Sequence, residues 1–252
     1  MKNKKILILQ TGQSIKQARD KYGDFDELFI KGLGVDKSQT KTIHVYDDLA
    51  FPNPEKLAGI LITGSPAMVT EGNKWCIKTQ QWLKQFIDTD LPILGVCYGH
   101  QLLAKILGGT VKWNPNGREI GQVEMVITTS SQDDSLLASL VKDSTQSIKV
   151  QATHQQAVTF LPNDVTILGR TQLDSHHCFC YKNHIWGMQF HPEFTPEIIK
   201  DYIRLRSDDI KEEELNPDQL IAEVEDINNG PTLLQRFAKI CFQRESYKKL
   251  KS

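Results

Sequence analysis

No apolar run in this 252-residue chain approaches the ~18 residues of a membrane-spanning helix, so no membrane partner is expected. An excess of one charge is missing as well. The 30 basic and 31 acidic residues leave a net of −1, which offers no footprint for neutralising a phosphate backbone and argues against nucleic acid. Neither a Walker A pattern nor a Ser-Gly-Gly-x-Asp-Ser loop is present to cradle a nucleotide phosphate. Cysteine is sparse: Cys76, Cys97, Cys178, Cys180 and Cys241 are odd in number and unevenly spaced. That suits reduced thiols in a cytoplasm better than a disulfide framework. Lys2, Lys4 and Lys5 ahead of Ile6-Leu7-Ile8-Leu9 imitate a leader. The apolar run stops at Gln10, however, short of the roughly 7–15 residues a leader needs, and reads as a buried strand. Internal repeats and low-complexity tracts are absent from the sequence.

What is present is alternation. Lys5–Leu9, Thr42–Tyr46, Ala58–Ile62 and Ile93–Val96 read as strands, with an amphipathic helix across about 73–88 that carries Trp75 and Trp82 on its core side. Such alternation predicts an α/β fold: a mostly parallel central sheet with helices on both faces. Ligands of such sheets bind beyond the carboxyl ends of the strands, where both Gly64 and Cys97 fall. Farther on, Glu119–Thr128, Val165–Leu168, Cys178–Tyr181 and Ile185–Phe190 read as strands added in antiparallel fashion. The segments at about 195–206, 217–226 and 231–244 read as helices. Between them, Glu212-Glu213-Glu214 and Asn216-Pro217 suggest a linker, and Lys248–Lys251 a frayed end.

Gly95-Val96-Cys97-Tyr98-Gly99 lies between an apolar strand and a helix-forming stretch. A strand that turns sharply into a helix forces its turning residue into a strained backbone, and glycines two residues to either side remove the clashes. A thiol at that apex sits at a helix N-terminus, which favours the thiolate. A thiolate nucleophile needs a base, and the base needs an orienting partner. His191-Pro192-Glu193 supplies both. In extended backbone, residues two apart project to one side, so Glu193 can reach the His191 imidazole and leave its other nitrogen for Cys97. The order nucleophile, histidine, acid differs from that of an ordinary α/β-hydrolase. His176, Cys178 and Cys180 can share one strand face and imitate a metal site, but a fourth ligand is not evident; ordinary strand residues are the better reading. His100 reads as part of the packing helix. No metal or cofactor is expected.

Gly95–Gln101 together with Gly187-Met188-Gln189-Phe190-His191-Pro192-Glu193-Phe194 resembles the class I, triad-type glutamine amidotransferase family. The resemblance is nearest to the glutaminase domain of GMP synthetase and its stand-alone relatives. Thr63-Gly64-Ser65-Pro66, Gly117-Arg118-Glu119-Ile120-Gly121 and Thr153-His154-Gln155-Gln156-Ala157-Val158 agree in order and spacing, and the likeness covers roughly residues 5–200. It implies a flavodoxin-like fold and hydrolysis of the glutamine side-chain amide, or a related γ-glutamyl bond, through a thioester on Cys97. In that chemistry His191 protonates the departing ammonia and Glu193 holds the imidazole. The resemblance also implies an oxyanion hole from the backbone N–H groups of Gly64 and Tyr98, and substrate contacts from Gln101, His154 and Gln155.

The resemblance has two departures. Ser65 stands where the family often carries a second glycine, and the residues after Glu193 are too few for an ATP-using synthetase domain. A catalytic domain is therefore expected over 1–205, with a helical extension over 206–252 that covers the sheet, docks a partner or forms a homodimer surface. Three functions stay open. The chain is a stand-alone glutaminase-like hydrolase serving an ammonia-accepting synthase, a γ-glutamyl peptidase, or a catalytically silent regulatory subunit.

Overall fold

Uncharged runs of Ile, Leu and Val build the centre of the sheet. β1 (Lys5–Gln10), β3 (Leu57–Ile62), β4 (Ile93–Val96) and β11 (Ile185–Met188) are buried at every position but Lys5. Strands covered on both faces have no place for the polar alternation of a half-exposed sheet. The computed structural model describes residues 4–47, 50–141 and 147–250, with side chains described to Gln243. With β2 (Thr40–His44), these strands run parallel in the order β2-β1-β3-β4-β11. That is the flavodoxin-like order, whose switch point lies between β1 and β3.

Beyond β11 the same nine-stranded sheet continues antiparallel through β10 (Cys178–Tyr181), β9 (Thr166–Arg170), β6 (Glu119–Ile127) and β7 (Ser147–His154). A small second sheet pairs β5 (Thr110–Trp113) with β8 (Gln156–Phe160). Successive residues of a strand face opposite sides, and two cores result. Ile6 and Ile8 join the core that holds Phe29 and Phe237, while Leu7 and Leu9 join the one that holds Leu83 and Leu103.

The helices are α1 (Lys16–Tyr22), α2 (Phe25–Leu33), α3 (Lys74–Leu83), α4 (Tyr98–Ile106), α5 (Pro196–Leu205), α6 (Ser207–Glu212), α7 (Pro217–Ala222) and α8 (Asn229–Leu250). An Asp24–Glu27 capping box starts α2. The last helix packs on α2, β3 and β7, and its Leu233, Leu234, Phe237 and Cys241 are buried beside Phe29 and Ile8. Of the expected frayed end, Lys248–Leu250 continue α8 as backbone; Lys251 and the side chains after Gln243 lie outside the described residues. Among the described residues, no helix is long and apolar enough to cross a membrane.

The acidic segment is not a linker. Glu212 ends α6, Glu213 is bound to Arg118, and the Asn216 side chain caps α7 by accepting the Asp218 and Gln219 N–H groups. Side-chain bonds to distant and neighbouring partners hold a stretch whose composition alone suggests slack.

Candidate active site

β4 ends at Val96 and α4 begins at Tyr98, so Cys97 alone makes the turn. Its backbone stands at φ 51° and ψ −99°, a conformation costly for any side chain. The flanking glycines permit it. A Cβ on Gly95 would run into the Gly99 carbonyl, and one on Gly99 would lie 2.5 Å from the Ile62 carbonyl oxygen. The Cys97 N–H donates to the Met188 carbonyl at 2.8 Å, which ties the turn to β11.

β11 stops at Met188, two residues before the expected end at Phe190. The Gln189 N–H goes to the His177 carbonyl at 2.8 Å and the His191 N–H to that of Gln151 at 2.7 Å. The antiparallel wing thereby draws the chain away from β4 and sets His191 beside Cys97. His191-Pro192-Glu193 is then a turn rather than extended backbone, closed by the Phe194 N–H on the His191 carbonyl at 3.2 Å. Proline pre-sets the backbone angle such a turn needs. The expected contact is present by this other route: His191 Nδ1 lies 2.7 Å from Glu193 Oε1. The imidazole is stacked on Phe194 at 4.3 Å and on Phe25 at 6.4 Å between ring centroids.

Nε2 of His191 is buried without a hydrogen-bond partner and is left to the thiol. Burial opposes both charged forms here. The Glu193 carboxylate and the Cys97 sulfur outweigh it and raise the His191 pKa, while the His191 imidazolium lowers that of Cys97. Both shifts run in the direction of a thiolate–imidazolium pair.

Gly64 follows β3 at the switch point. The Thr11 hydroxyl reaches the Thr63 carbonyl at 3.0 Å and the Gly64 carbonyl at 2.9 Å, and the Thr11 N–H donates to Thr63 Oγ1 at 3.1 Å. Ser65 adds a hydroxyl donated to the Thr11 carbonyl at 2.9 Å, an anchor that a second glycine would lack. A Cβ on Gly64 would stand 3.0 Å from His191 Cε1 and 3.7 Å from Cys97 Cβ, so a side chain there would crowd the imidazole.

A cleft of about 240 Å³ opens beside Cys97, walled by Tyr98, Gln101, Arg118, Gln155, Gln156 and Arg206. Gln101 commits its amide N–H₂ to the Gln156 carbonyl at 2.9 Å and to Gln189 Oε1 at 3.0 Å, which leaves its oxygen as the acceptor for a ligand. Gln155 is in the wall, its amide 3.4 Å from Glu213. His154 borders the same cleft but has no nitrogen to offer: Nδ1 bonds the Gln156 carbonyl at 3.0 Å and Nε2 bonds Glu119 at 2.9 Å.

Glu119, His154 and His177, all buried, bring three potential ligand atoms within 4.8 Å of one another, and Asp174 lies 3.4 Å from His177 Nδ1. This is the group a metal would find, and not His176, Cys178 and Cys180. His176 bonds the Val158 carbonyl at 2.8 Å, and burial holds both thiols protonated with pKa values far above the ordinary. Within the buried group the His154–Glu119 contact of 2.9 Å becomes a charge-assisted hydrogen bond when the imidazole is protonated. Burial is again the opposing influence; Glu119 overcomes it to raise the His154 pKa, and His154 and His177 lower that of Glu119.

The family model for class I glutamine amidotransferases matches residues 17–206. The chain belongs to the class I glutamine amidotransferase family. Among curated relatives of this chain, gamma-glutamyl peptidase 5 of Arabidopsis thaliana is 30% identical over 203 residues, 78% of this chain and 78% of that protein. A glutamine-hydrolyzing GMP synthase subunit of Halobacterium salinarum is 29% identical over 153 residues, 60% of this chain and 75% of that protein. Solved structures agree in fold. A glutamine amidotransferase from Thermotoga maritima superposes with a TM-score of 0.71 at 18% identity, covering 94% of this chain and 98% of the other. A glutamine amidotransferase from Methylobacillus flagellatus gives 0.70 at 17% identity, covering 96% and 93%.

Sequence reasoning passed over Arg118, His177 and Arg206. Arg118 lies inside the Gly117–Gly121 segment that carried the resemblance, so a signal was available. Arg206 had none: nothing near it in sequence points to a cleft that tertiary packing alone creates.

Proposed function

We propose that this chain hydrolyses the amide of a γ-glutamyl compound, glutamine or a conjugate, through a thioester on Cys97. The observation that carries the reading is the buried Cys97–His191–Glu193 arrangement, with Gly64 backbone pressed against it. The Cys97 thiolate attacks the side-chain carbonyl carbon. The oxyanion is held by the N–H groups of Gly64 and Tyr98, the second of these at the start of α4. The carbon–nitrogen bond breaks as His191 Nε2 gives its proton to the departing nitrogen, and ammonia or an amine leaves. Water then loses a proton to His191 and adds to the thioester; the carbon–sulfur bond breaks, glutamate departs and the thiolate–imidazolium pair is restored. Glu193 keeps the imidazole in the tautomer that turns Nε2 to the sulfur.

Two kinds of amide satisfy this chemistry. Release of ammonia to a synthase partner is one, and the relatives include a glutamine-hydrolyzing GMP synthase subunit. Cleavage of γ-glutamyl peptides is the other, favoured by relatives named gamma-glutamyl peptidase that match this chain over 78% and 79% of its length. An intact thiol–imidazole–carboxylate set argues against a silent regulatory role. Pairing of two copies and residence in the cytoplasm remain part of the proposal.

A diazo-ketone analogue of glutamine tests the chemistry directly. Mass spectrometry is expected to find one adduct, on Cys97 and on no other cysteine. Folded protein left unlabelled at Cys97 would overturn the thioester reading.

A further inference from the structure

Two guanidinium groups face the cleft beside Cys97, and they are not equivalent. Arg118, its side chain 5% exposed, is answered by Glu213 through two bonds of 2.7 and 2.9 Å, with Asp209 3.7 Å away. Arg206 follows α5 and starts α6, and among the described residues no carboxylate pairs with it. Its Nε is buried and has no hydrogen-bond partner. Burial and the nearby Arg118 charge press its pKa down against the opposing pull of Tyr202, Asp209 and Cys97.

Arg206 also lies between two spaces. One is the cleft with Gln101, Gln155 and Gln156. The other is a narrow space of about 50 Å³ on the His191 side of the sulfur, walled by Gln13, Ile15, Phe25 and Tyr202. In the proposed reaction His191 protonates the departing nitrogen, so whatever that nitrogen carries extends into the narrow space and passes Arg206. Free glutamine carries nothing there. A γ-glutamyl amino acid carries a carboxylate whose carbon sits roughly 2.5 Å from the scissile nitrogen by standard bond lengths. Hydrogen bonding agrees. Asp209 is near enough to act on the Arg206 charge but makes no bond to it, and the extra carboxylate of a peptide-like substrate would give the guanidinium the acceptor it lacks.

We propose that Arg206 is a carboxylate subsite for the leaving group, which makes the substrate a γ-glutamyl amino acid with a free carboxylate rather than glutamine. The subsite rests on the thioester reading above, and the two can fail separately.

The experiment compares γ-glutamyl-alanine, γ-glutamyl-alaninamide and glutamine as substrates of the full chain and of R206Q and R206K, with diazo-ketone labelling of Cys97 run on each. The wild type is expected to prefer the free carboxylate by about 30-fold in kcat/KM, the size of one charge-assisted contact. R206Q erases that preference mainly through the KM of the free acid, so that acid and amide turn over alike; R206K restores part of it. Because its Nε is buried without a hydrogen-bond partner, R206Q should unfold at the same temperature as the wild type or a higher one. Equal turnover of acid and amide by the wild type overturns the subsite. So does an equal loss by R206Q on all three compounds, a lowered unfolding temperature with that loss, or turnover confined to glutamine. In those outcomes labelled Cys97 keeps the thioester reading intact, whereas unlabelled Cys97 removes both.

Discussion

Two buried histidine–carboxylate pairs lie close together in this protein, His191 with Glu193 at 2.7 Å and His154 with Glu119 at 2.9 Å. In both, burial opposes the imidazolium and a carboxylate overcomes that opposition. They differ at the other ring nitrogen. That of His154 is taken by the Gln156 carbonyl, whereas that of His191 has no hydrogen-bond partner and is left to a thiol on a strained turn. The same ionic chemistry therefore holds a loop in one place and can move a proton in the other. What decides is the free nitrogen, not the pair.

The comparison can be broken from either end. The largest effect is expected at the couple with the sulfur: Cys97→Ser and His191→Ala should each cut turnover by at least about 10⁴-fold, read by ammonia or amine release. Equal activity in Cys97→Ser and wild type would end the mechanism. Next comes Glu119→Gln, which removes the carboxylate that outweighs burial at His154 and should cost about 3–5 kcal/mol in denaturant unfolding. Protein that stays folded should keep kcat within about tenfold. A large loss of kcat without loss of stability would show that the second pair is not merely structural. Glu193→Gln should be milder than either triad partner, a fall of roughly 10²-fold in kcat with labelling of Cys97 retained.

The pH dependences are smaller and separate the pairs by sign. The proposed mechanism needs thiolate and imidazolium together, so activity should rise as the lowered Cys97 pKa is passed and fall only above the raised His191 pKa. Glu193→Gln should bring the alkaline limb back toward the ordinary histidine value, visible in a kcat/KM profile. For stability, the raised His154 pKa contributes fully below its ordinary 6.5 and is lost as pH rises through the folded value. The lowered Glu119 pKa contributes fully above 4.5 and is lost as pH falls through its folded value. The stability gap between wild type and Glu119→Gln should thus be widest between those two pH values and narrow on the alkaline side. A gap independent of pH would mean that the pair is not ionised.

Much of this was legible along the chain where local pattern suffices. The apolar runs of β1, β3 and β4 and the glycines around Cys97 mark the parallel half and its turn directly. β7 carried a signal that went unread, the alternation of Ile148, Val150 and Ala152. The pairing of His191 with Glu193 was expected from extended backbone and is made by a proline turn, because the strand ends when the wing takes the Gln189 and His191 N–H groups. Glu213 and Arg118 are 95 residues apart, and no local rule turns an acidic run into a clamp on a cleft. Arg206 is the extreme case, since its meaning is entirely a matter of which groups fail to reach it.

The Thr11 hydroxyl on the Thr63 carbonyl has one more consequence. In a trans peptide the carbonyl and the following N–H point in opposite directions, so fixing the Thr63 oxygen fixes the Gly64 hydrogen. Flipping that peptide would break the 3.0 Å bond and leave a buried carbonyl unsatisfied. If Gly64 receives the oxyanion, its aim is set when the chain folds. The resting protein then has no loop to rearrange at each turnover, and a Thr11→Val variant would have to find that orientation afresh every time.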